Sequence, residues 1–368
     1  MLVTRTLHAA PSGGRELLCK LNHDTLQSLH PGGLVLVELS YVRPRSMSQM
    51  MNAFRGHIDG LDHASISAAL ARIESDGIEQ VFVDGSNLGE FARAIKSRFP
   101  RVEVITFFHN VEARFFLGAL KQTRSIRALA VLAASYLAER KAVRHSDKRI
   151  ALSQRDSLQL QTLYGRAATH VVPMALQDQL PKDMALPSMD ANAAPYALFV
   201  GGVFYANQAG ITWFVEQVVP RIDIKICIVG RGFEGLRHVL VREGQVEVIG
   251  AVDSLADWYR NARFVVAPIF DGSGMKTKVA EALMFGKRVI GTPEAFSGYE
   301  DIADRAGVVC SSADEFVAAI NAVDVQAADS ADQALRAIYE AEYSHGAFRA
   351  KMARVLAAPL AGTAGAAG

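Results

Sequence analysis

The chain has 368 residues, half of them hydrophobic, with 39 basic and 38 acidic side chains and a formal charge of +1. That length exceeds one ordinary core and predicts two domains. Three scattered cysteines, Cys19, Cys227 and Cys310, argue against a disulfide framework or a zinc site and fit a reducing compartment. The first residues lack the basic start and long apolar core of a signal peptide. The longest apolar run, residues 128–138, falls short of the ~20 residues that a membrane span requires. The expected location is cytoplasmic.

Short β-rich runs alternate with helical patterns from the start. Strands are predicted at 2–6, 34–39, 80–83, 102–107, 149–152 and 170–172, and helices at 14–29, 64–75, 88–97, 124–145 and 154–164. This is the alternation of a parallel α/β sheet. Residues 177–194 hold two prolines and no periodicity and read as a linker between a first domain (1–176) and a second (195–345). The second series predicts strands at 196–200, 225–229, 246–249, 264–268, 288–291 and 307–310, with helices at 209–218, 258–261, 276–285, 313–322 and 331–356. The small, polar residues 358–368 read as a disordered tail.

Charge is unevenly distributed. Residues 1–175 carry 22 basic and 15 acidic side chains, and residues 176–368 carry 17 and 23. Between Arg114 and Arg166 there are 11 basic and 3 acidic residues, including Arg124, Arg127, Arg140, Lys141, Arg144, Lys148 and Arg149. Such a run is either a solvated helical face or, with Phe115, Phe116 and Leu117 beside it, a surface for anionic lipid. Nucleic acid is a poorer fit, because aromatic residues do not interleave with the charges.

The segment Pro268–Thr292 carries the most chemistry. A strand (FVVAP) runs into a Gly272-Ser273-Gly274 loop, then into a helix closed by Gly286 and into a second strand. Glycines at a helix start let backbone N–H groups approach an anion, and the helix dipole favours it. Lys276 and Lys278 add charge, and Glu281 lies within about a turn of Lys278. A carboxylate there suits the two vicinal hydroxyls of a ribose. A plain βα turn with a solvated Lys-Glu pair is the alternative.

The string DGSGMKTKVAEALMFGKRVIGT resembles the donor-site region of the GT-B glycosyltransferases, specifically the large retaining family 4 (glycosyl transferases group 1). YALFVGGVFYANQAGITWFVEQVVPRI, IKICIVGRGF and VEVIGAVDSLADWYRNARFVVAP extend the likeness along the second half, and PSGGRE, FHNVEARF and ALSQRDSLQLQTLYG along the first. The resemblance implies two facing doubly wound Rossmann-like domains with a cleft between them, and a terminal helix (346–357) crossing back to the first. It implies a metal-independent hexosyltransferase that uses a nucleoside diphosphate sugar, needs no cofactor and acts in bacterial-type polysaccharide or glycolipid assembly. The acceptor is then a saccharide or a lipid-linked glycan, met in the latter case at the inner face of the cytoplasmic membrane.

Position by position, the likeness assigns Glu281 to the nucleotide ribose and the backbone N–H groups of Ser273, Gly274, Met275, Lys276 and Thr277 to the diphosphate, with Gly272 and Lys278 also at the donor site. Arg231 and Val252 border the nucleotide, with residues 251–253 in the base pocket. His109, at the end of a strand, matches a histidine of the sugar subsite and is the candidate catalytic residue. Gly13 and Gly14 match the loop that admits the donor phosphate and the acceptor. Three places depart from the family pattern. Ser273 stands where a first glutamate is usual, and Gly202 and Asn207 stand where an arginine and a lysine are common. Lys276, Lys278 and Arg231 are then the available phosphate cations.

Two other classes stay open. Residues 230–235 read G-x-G-x-x-G after a strand, with Asp253 about 20 residues on, as an NAD-dependent oxidoreductase requires. A non-catalytic nucleotide-sugar-binding partner has the same donor site. No Asp-x-Asp pair or metal-ligand histidine spacing occurs, so no metal is expected. Asp84-Gly85-Ser86 reads as a generic βα turn.

Overall fold

A computed structural model describes residues 1–9, 14–40, 47–180, 194–272, 274–323 and 332–359. The chain divides into two compact units, Met1–Met174 with Phe348–Gly368, and Ala175–Ala347. The second unit begins two residues before the predicted linker, most of which (181–193) lies outside the described residues, as do residues 360–368 of the tail.

In the first unit β1 (Leu2–Arg5), α1 (Gly14–Leu29), β2 (Leu36–Leu39), α2 (Met47–Arg55), α3 (His63–Ser75), β3 (Gln80–Asp84), α4 (Gly89–Arg98) and β4 (Glu103–Phe108) follow one another. Then come α5 (Glu112–Thr123), α6 (Ile126–His145), β5 (Lys148–Ala151), α7 (Gln154–Tyr164) and β6 (His170–Val171). The strands pair in parallel in the order β2-β1-β3-β4-β5-β6. Strands such as Val81–Val83 and Val104–Phe108 are buried throughout, because helices cover both faces of a parallel sheet.

Two helices of this unit, α2 and α5, have no counterpart among the expected elements. The break before α6 comes from Arg124, held at φ 46° at the end of α5, followed by Ser125, whose hydroxyl accepts from Ala128 N. Ser153 caps α7 in the same way.

The second unit contains β7 (Tyr196–Val200), α8 (Tyr205–Gln217), β8 (Lys225–Val229), α9 (Arg237–Leu240), β9 (Val246–Gly250), α10 (Ala256–Asn261) and β10 (Ala262–Ala267). It continues with α11 (Thr277–Met284), β11 (Val289–Gly291), α12 (Ala303–Ala306), β12 (Gly307–Val309), α13 (Ala313–Asn321) and α14 (Gln333–Ile338). Its parallel sheet runs β12-β11-β10-β7-β8-β9, so the strand order reverses between β7 and β10. Ligands of such sheets bind outside the carboxyl ends of the strands at that reversal. In the first unit the corresponding reversal lies between β1 and β3.

The helix expected over 331–356 is interrupted. α14 passes into a π-helical turn (Tyr339–Tyr343), Ser344 is extended, and α15 (His345–Ala357) follows. α15 rejoins the first unit. Phe348, Met352 and Val355 are buried, the Phe348 ring lies 6.2 Å from that of Phe107, and Gln80 Nε2 and Lys148 Nζ both donate to Leu356 O at 3.4 Å.

Candidate functional site

The second unit gathers polar groups at its strand reversal. Gly210 in α8 lies so close to the end of β10 that a Cβ there would sit 1.7 Å from Pro268 O. Across this junction Lys278, on the first turn of α11, donates to Asn207 Oδ1 at 3.1 Å, and Asn207 Nδ2 donates to Gly202 O at 2.9 Å. The Lys278 ammonium also stands 4.7 Å above the Phe199 ring. Burial pushes it down from an ordinary 10.5 to about 7, against the pull of Glu281. Asn207, standing where a cation is common, thus accepts from Lys278, and Gly202 holds Asn207 in turn.

Glu281 is half-buried one turn further on, with its Oε2 accepting from the Tyr259 hydroxyl at 2.5 Å. Tyr259 is itself locked, stacked on Phe285 with ring centroids 5.3 Å apart and planes 6° from parallel. Burial pushes the Glu281 carboxyl up, opposed by Tyr259, by the charge of Lys278 and by Thr277.

Gly272 and Gly274 adopt φ 142° and φ 66°, conformations that favour glycine, ahead of a helix whose N-cap residue, Lys276, makes no side-chain cap bond. In that first turn Val279 N donates to Lys276 O at 3.2 Å. Ser273 lies outside the described residues. Met275 is buried. Lys276 is not the solvated cation that the sequence suggested. Its ammonium folds back onto Gly274 O at 2.9 Å and Glu294 Oε1 at 3.0 Å, and its carbonyl accepts from the Tyr299 hydroxyl. Lys276 is thus charge-paired with Glu294, whereas Lys278 bonds the neutral Asn207.

The G-x-G-x-x-G loop is filled by its own glutamate. Glu234 accepts from Gly232 N at 2.7 Å and from Ala251 N at 2.6 Å, so the amides that a pyrophosphate would need are engaged. Arg231 is exposed, with its carbonyl accepting from Val203 N, and Val252 is half-buried just beyond β9.

In the first unit His109 ends β4. It is buried, and its Nε2 lies 2.6 Å from Asp84 Oδ1 at the end of β3. Asp84 also accepts from Thr4 Oγ1 at 2.5 Å and from Asn22 Nδ2 at 2.8 Å. Burial alone would raise the Asp84 carboxyl, but the charge and hydrogen bond of His109, with Thr4, hold it at about 2. Burial also pushes the nearby Cys19 thiol up. Among the described residues Cys19, Asp84 and His109 bring three metal-capable atoms within 4.8 Å of one another. Both Asp84 oxygens already have donors, and a thiol kept protonated is a poor ligand, so the group reads as a hydrogen-bond network.

Gly14 is the exposed first residue of α1, and Gly13 lies outside the described residues. Nearby, Arg15 pairs with Asp59, which also accepts from Asn87 Nδ2 at 2.9 Å. Burial pushes Glu112 up to about 8 despite Arg15, with Glu139 and Asp59 adding to the rise.

Sequence reasoning missed Tyr259, Glu294 and Asp84. Tyr259 and Glu294 sit on elements distant in sequence from their partners, and nothing in local spacing marks them. Asp84 carried a signal, an acid at a strand end one strand before a histidine at another, that went unused.

The basic stretch divides once folded. Lys148 is buried against Glu103 at 2.7 Å and Lys141 pairs with Glu90 at 2.6 Å, whereas Arg114, Lys121, Arg124 and Arg127 are exposed at the α5–α6 corner. Beside them Ile126 is 88% and Leu129 53% exposed, with Phe115 and, on α2, Met50, Met51 and Phe54 also exposed. No helix among the described residues is long and apolar enough to cross a membrane.

Residues 194–323 match the family model described as Glycosyl transferases group 1. No curated protein matches the chain. Among solved structures the chain is similar to the sucrose-phosphate synthase of Thermosynechococcus elongatus (16% identity, 96% of this chain and 98% of that one, TM-score 0.67). It is also similar to the lipopolysaccharide outer core galactosyltransferase WaaB (12%, 96% and 98%, 0.66) and to Anabaena HepE in complex with UDP (15%, 96% and 99%, 0.64). Two parallel six-stranded α/β sheets of this kind are the GT-B fold.

Proposed function

From a chain of GT-B fold whose second unit matches the group 1 glycosyltransferases, we propose a nucleotide-sugar-dependent glycosyltransferase that moves a hexosyl unit to an acceptor hydroxyl. The observation that carries this reading is the pairing, at one strand reversal, of a buried cation with a ribose-type acceptor: Lys278 held by Asn207, and Glu281 held by Tyr259. Glu281 accepts the ribose hydroxyls, and the first-turn amides of α11 with Lys278 receive the diphosphate. As the glycosidic bond breaks, charge develops on the leaving diphosphate, and these fixed dipoles stabilise it without reorganising. His109 is assigned a sugar hydroxyl. The reaction proceeds with retention and without a metal, by resemblance to the family.

A saccharide or lipid-linked acceptor of polysaccharide or glycolipid assembly is part of the same proposal. Its support is the α5–α6 corner, where exposed Ile126, Leu129 and Phe115 lie among exposed Arg114, Lys121, Arg124 and Arg127, a composition suited to the surface of an anionic bilayer. The protein then works at the cytoplasmic face as a peripheral enzyme.

Calorimetry with UDP-sugars, GDP-sugars and NAD tests the reading. Binding of a sugar nucleotide with no response to NAD is expected, since Glu234 already occupies the glycine-loop amides. Tight NAD binding with no sugar-nucleotide response would sink it. Donor binding with neither hydrolysis nor transfer, over a panel of saccharide and lipid-linked acceptors, favours a non-catalytic binding partner instead.

A further inference from the structure

His109 has two ring nitrogens, and the structure treats them differently. Nε2 faces Asp84 Oδ1 at 2.6 Å, and Nδ1 is buried without a hydrogen-bond partner. Asp84 is buried and takes a further donor on each oxygen, Thr4 on β1 at Oδ2 and Asn22 on α1 at Oδ1, so the carboxylate faces His109 as an acceptor. An acceptor held this way forces the hydrogen of a neutral imidazole onto Nε2.

We propose that Asp84 is a positioning residue. It locks His109 in the Nε2–H tautomer and so keeps the Nδ1 lone pair for a ligand hydroxyl. This rests on the glycosyl-transfer reading for the identity of the ligand, a sugar hydroxyl, but the tautomer itself follows from the geometry of one unit. A buried ring nitrogen left unpartnered is destabilising, and that loss is recovered when a hydroxyl donates to it. Beside Asp84 lies the Cys19 thiol on α1, kept neutral by burial.

The test is nitrogen-15 NMR of the histidine rings in the full chain, for wild type, Asp84→Asn and Asp84→Glu, followed by steady-state kinetics of the three proteins. The expected wild-type spectrum gives His109 a pyrrole-type Nε2 and a pyridine-type Nδ1. In Asp84→Asn this preference is lost, and kcat falls roughly tenfold or more with donor KM little changed. Asp84→Glu recovers part of the tautomer preference. A wild-type His109 carrying its hydrogen on Nδ1 overturns the proposal, and so does an Asp84→Asn protein whose His109 spectrum is unchanged. The wild-type measurement needs no variant to fold and no substrate, so failure of the glycosyltransferase reading, seen as absence of sugar-nucleotide binding, is distinguishable from failure of this one.

Discussion

Tyr259 donates its hydroxyl hydrogen to Glu281 at 2.5 Å, from a helix 22 residues earlier in the chain, and its ring is fixed by stacking on Phe285. One carboxylate oxygen is thereby oriented before any ligand arrives. If Glu281 receives both ribose hydroxyls, Glu281→Ala should weaken sugar-nucleotide binding about 100-fold, the ~3 kcal/mol expected for two hydrogen bonds to a charged group. Tyr259→Phe should weaken it about tenfold through loss of orientation. Titration calorimetry measures both, and unchanged affinity in Glu281→Ala refutes the ribose role.

Lys278 ties nucleotide affinity to pH. With its ammonium near 7 in the free protein, an incoming diphosphate raises that value and binding takes up a proton. Affinity should be highest below about pH 7 and decline as pH rises above it, and Lys278→Met should remove that slope. The stability effect has a definite sign too. A lysine that releases its proton near 7 when folded and near 10.5 when unfolded leaves the unfolded chain holding more protons between those values, so its contribution to stability improves as pH rises through that window. Lys278→Met should therefore stabilise the ligand-free protein most at pH 7 and below, as read by thermal melts across pH.

Close approach at the strand reversal predicts intolerance of a single methyl. Gly210→Ala would drive a Cβ to 1.7 Å from the Pro268 carbonyl, a backbone atom that cannot swing away. The expected loss is about 3 kcal/mol, measured by denaturant unfolding. Gly14→Ala, where nothing lies within 4 Å of the added atom, should leave stability nearly unchanged.

The α5–α6 corner gives a prediction separate from chemistry. Ile126→Asp with Leu129→Asp should abolish sedimentation with anionic vesicles and leave both the melting temperature and sugar-nucleotide affinity unchanged, because both side chains are exposed. Wild-type protein that ignores anionic vesicles at low salt removes the membrane part of the proposed function.

Most of the fold was legible because its strands are short apolar runs punctuated by glycine and proline. The predicted bounds of Tyr196–Val200, Lys225–Val229, Gly14–Leu29 and Gln154–Tyr164 coincide with the structure. α5 has no predicted counterpart, and it ends at Arg124 in a left-handed conformation that no local preference announces. The GSG loop, Glu281 and the two lysines stood out in sequence because they lie within a dozen residues. What spacing could not show was the division of labour, since Glu294 neutralises Lys276 from 18 residues away and Asn207 holds Lys278 from 71. Asn207, read as a missing cation, is a cation's anchor.

The return of α15 to the first unit makes that unit discontinuous in sequence, with the second unit lying wholly inside it as an insertion between Met174 and Phe348. Synthesis from the N-terminus therefore completes the guest before the host. A nascent chain halted at Gly346 would carry every described strand of both sheets, yet Phe107 would lack the ring of Phe348 and Lys148 the carbonyl of Leu356. The last core contacts of the first unit span more than 200 residues, the slowest kind to close. A truncation just before Phe348 should spare the guest's melting transition and lower the host's, and a host exposed to proteolysis until its final helix arrives is the same effect seen in time.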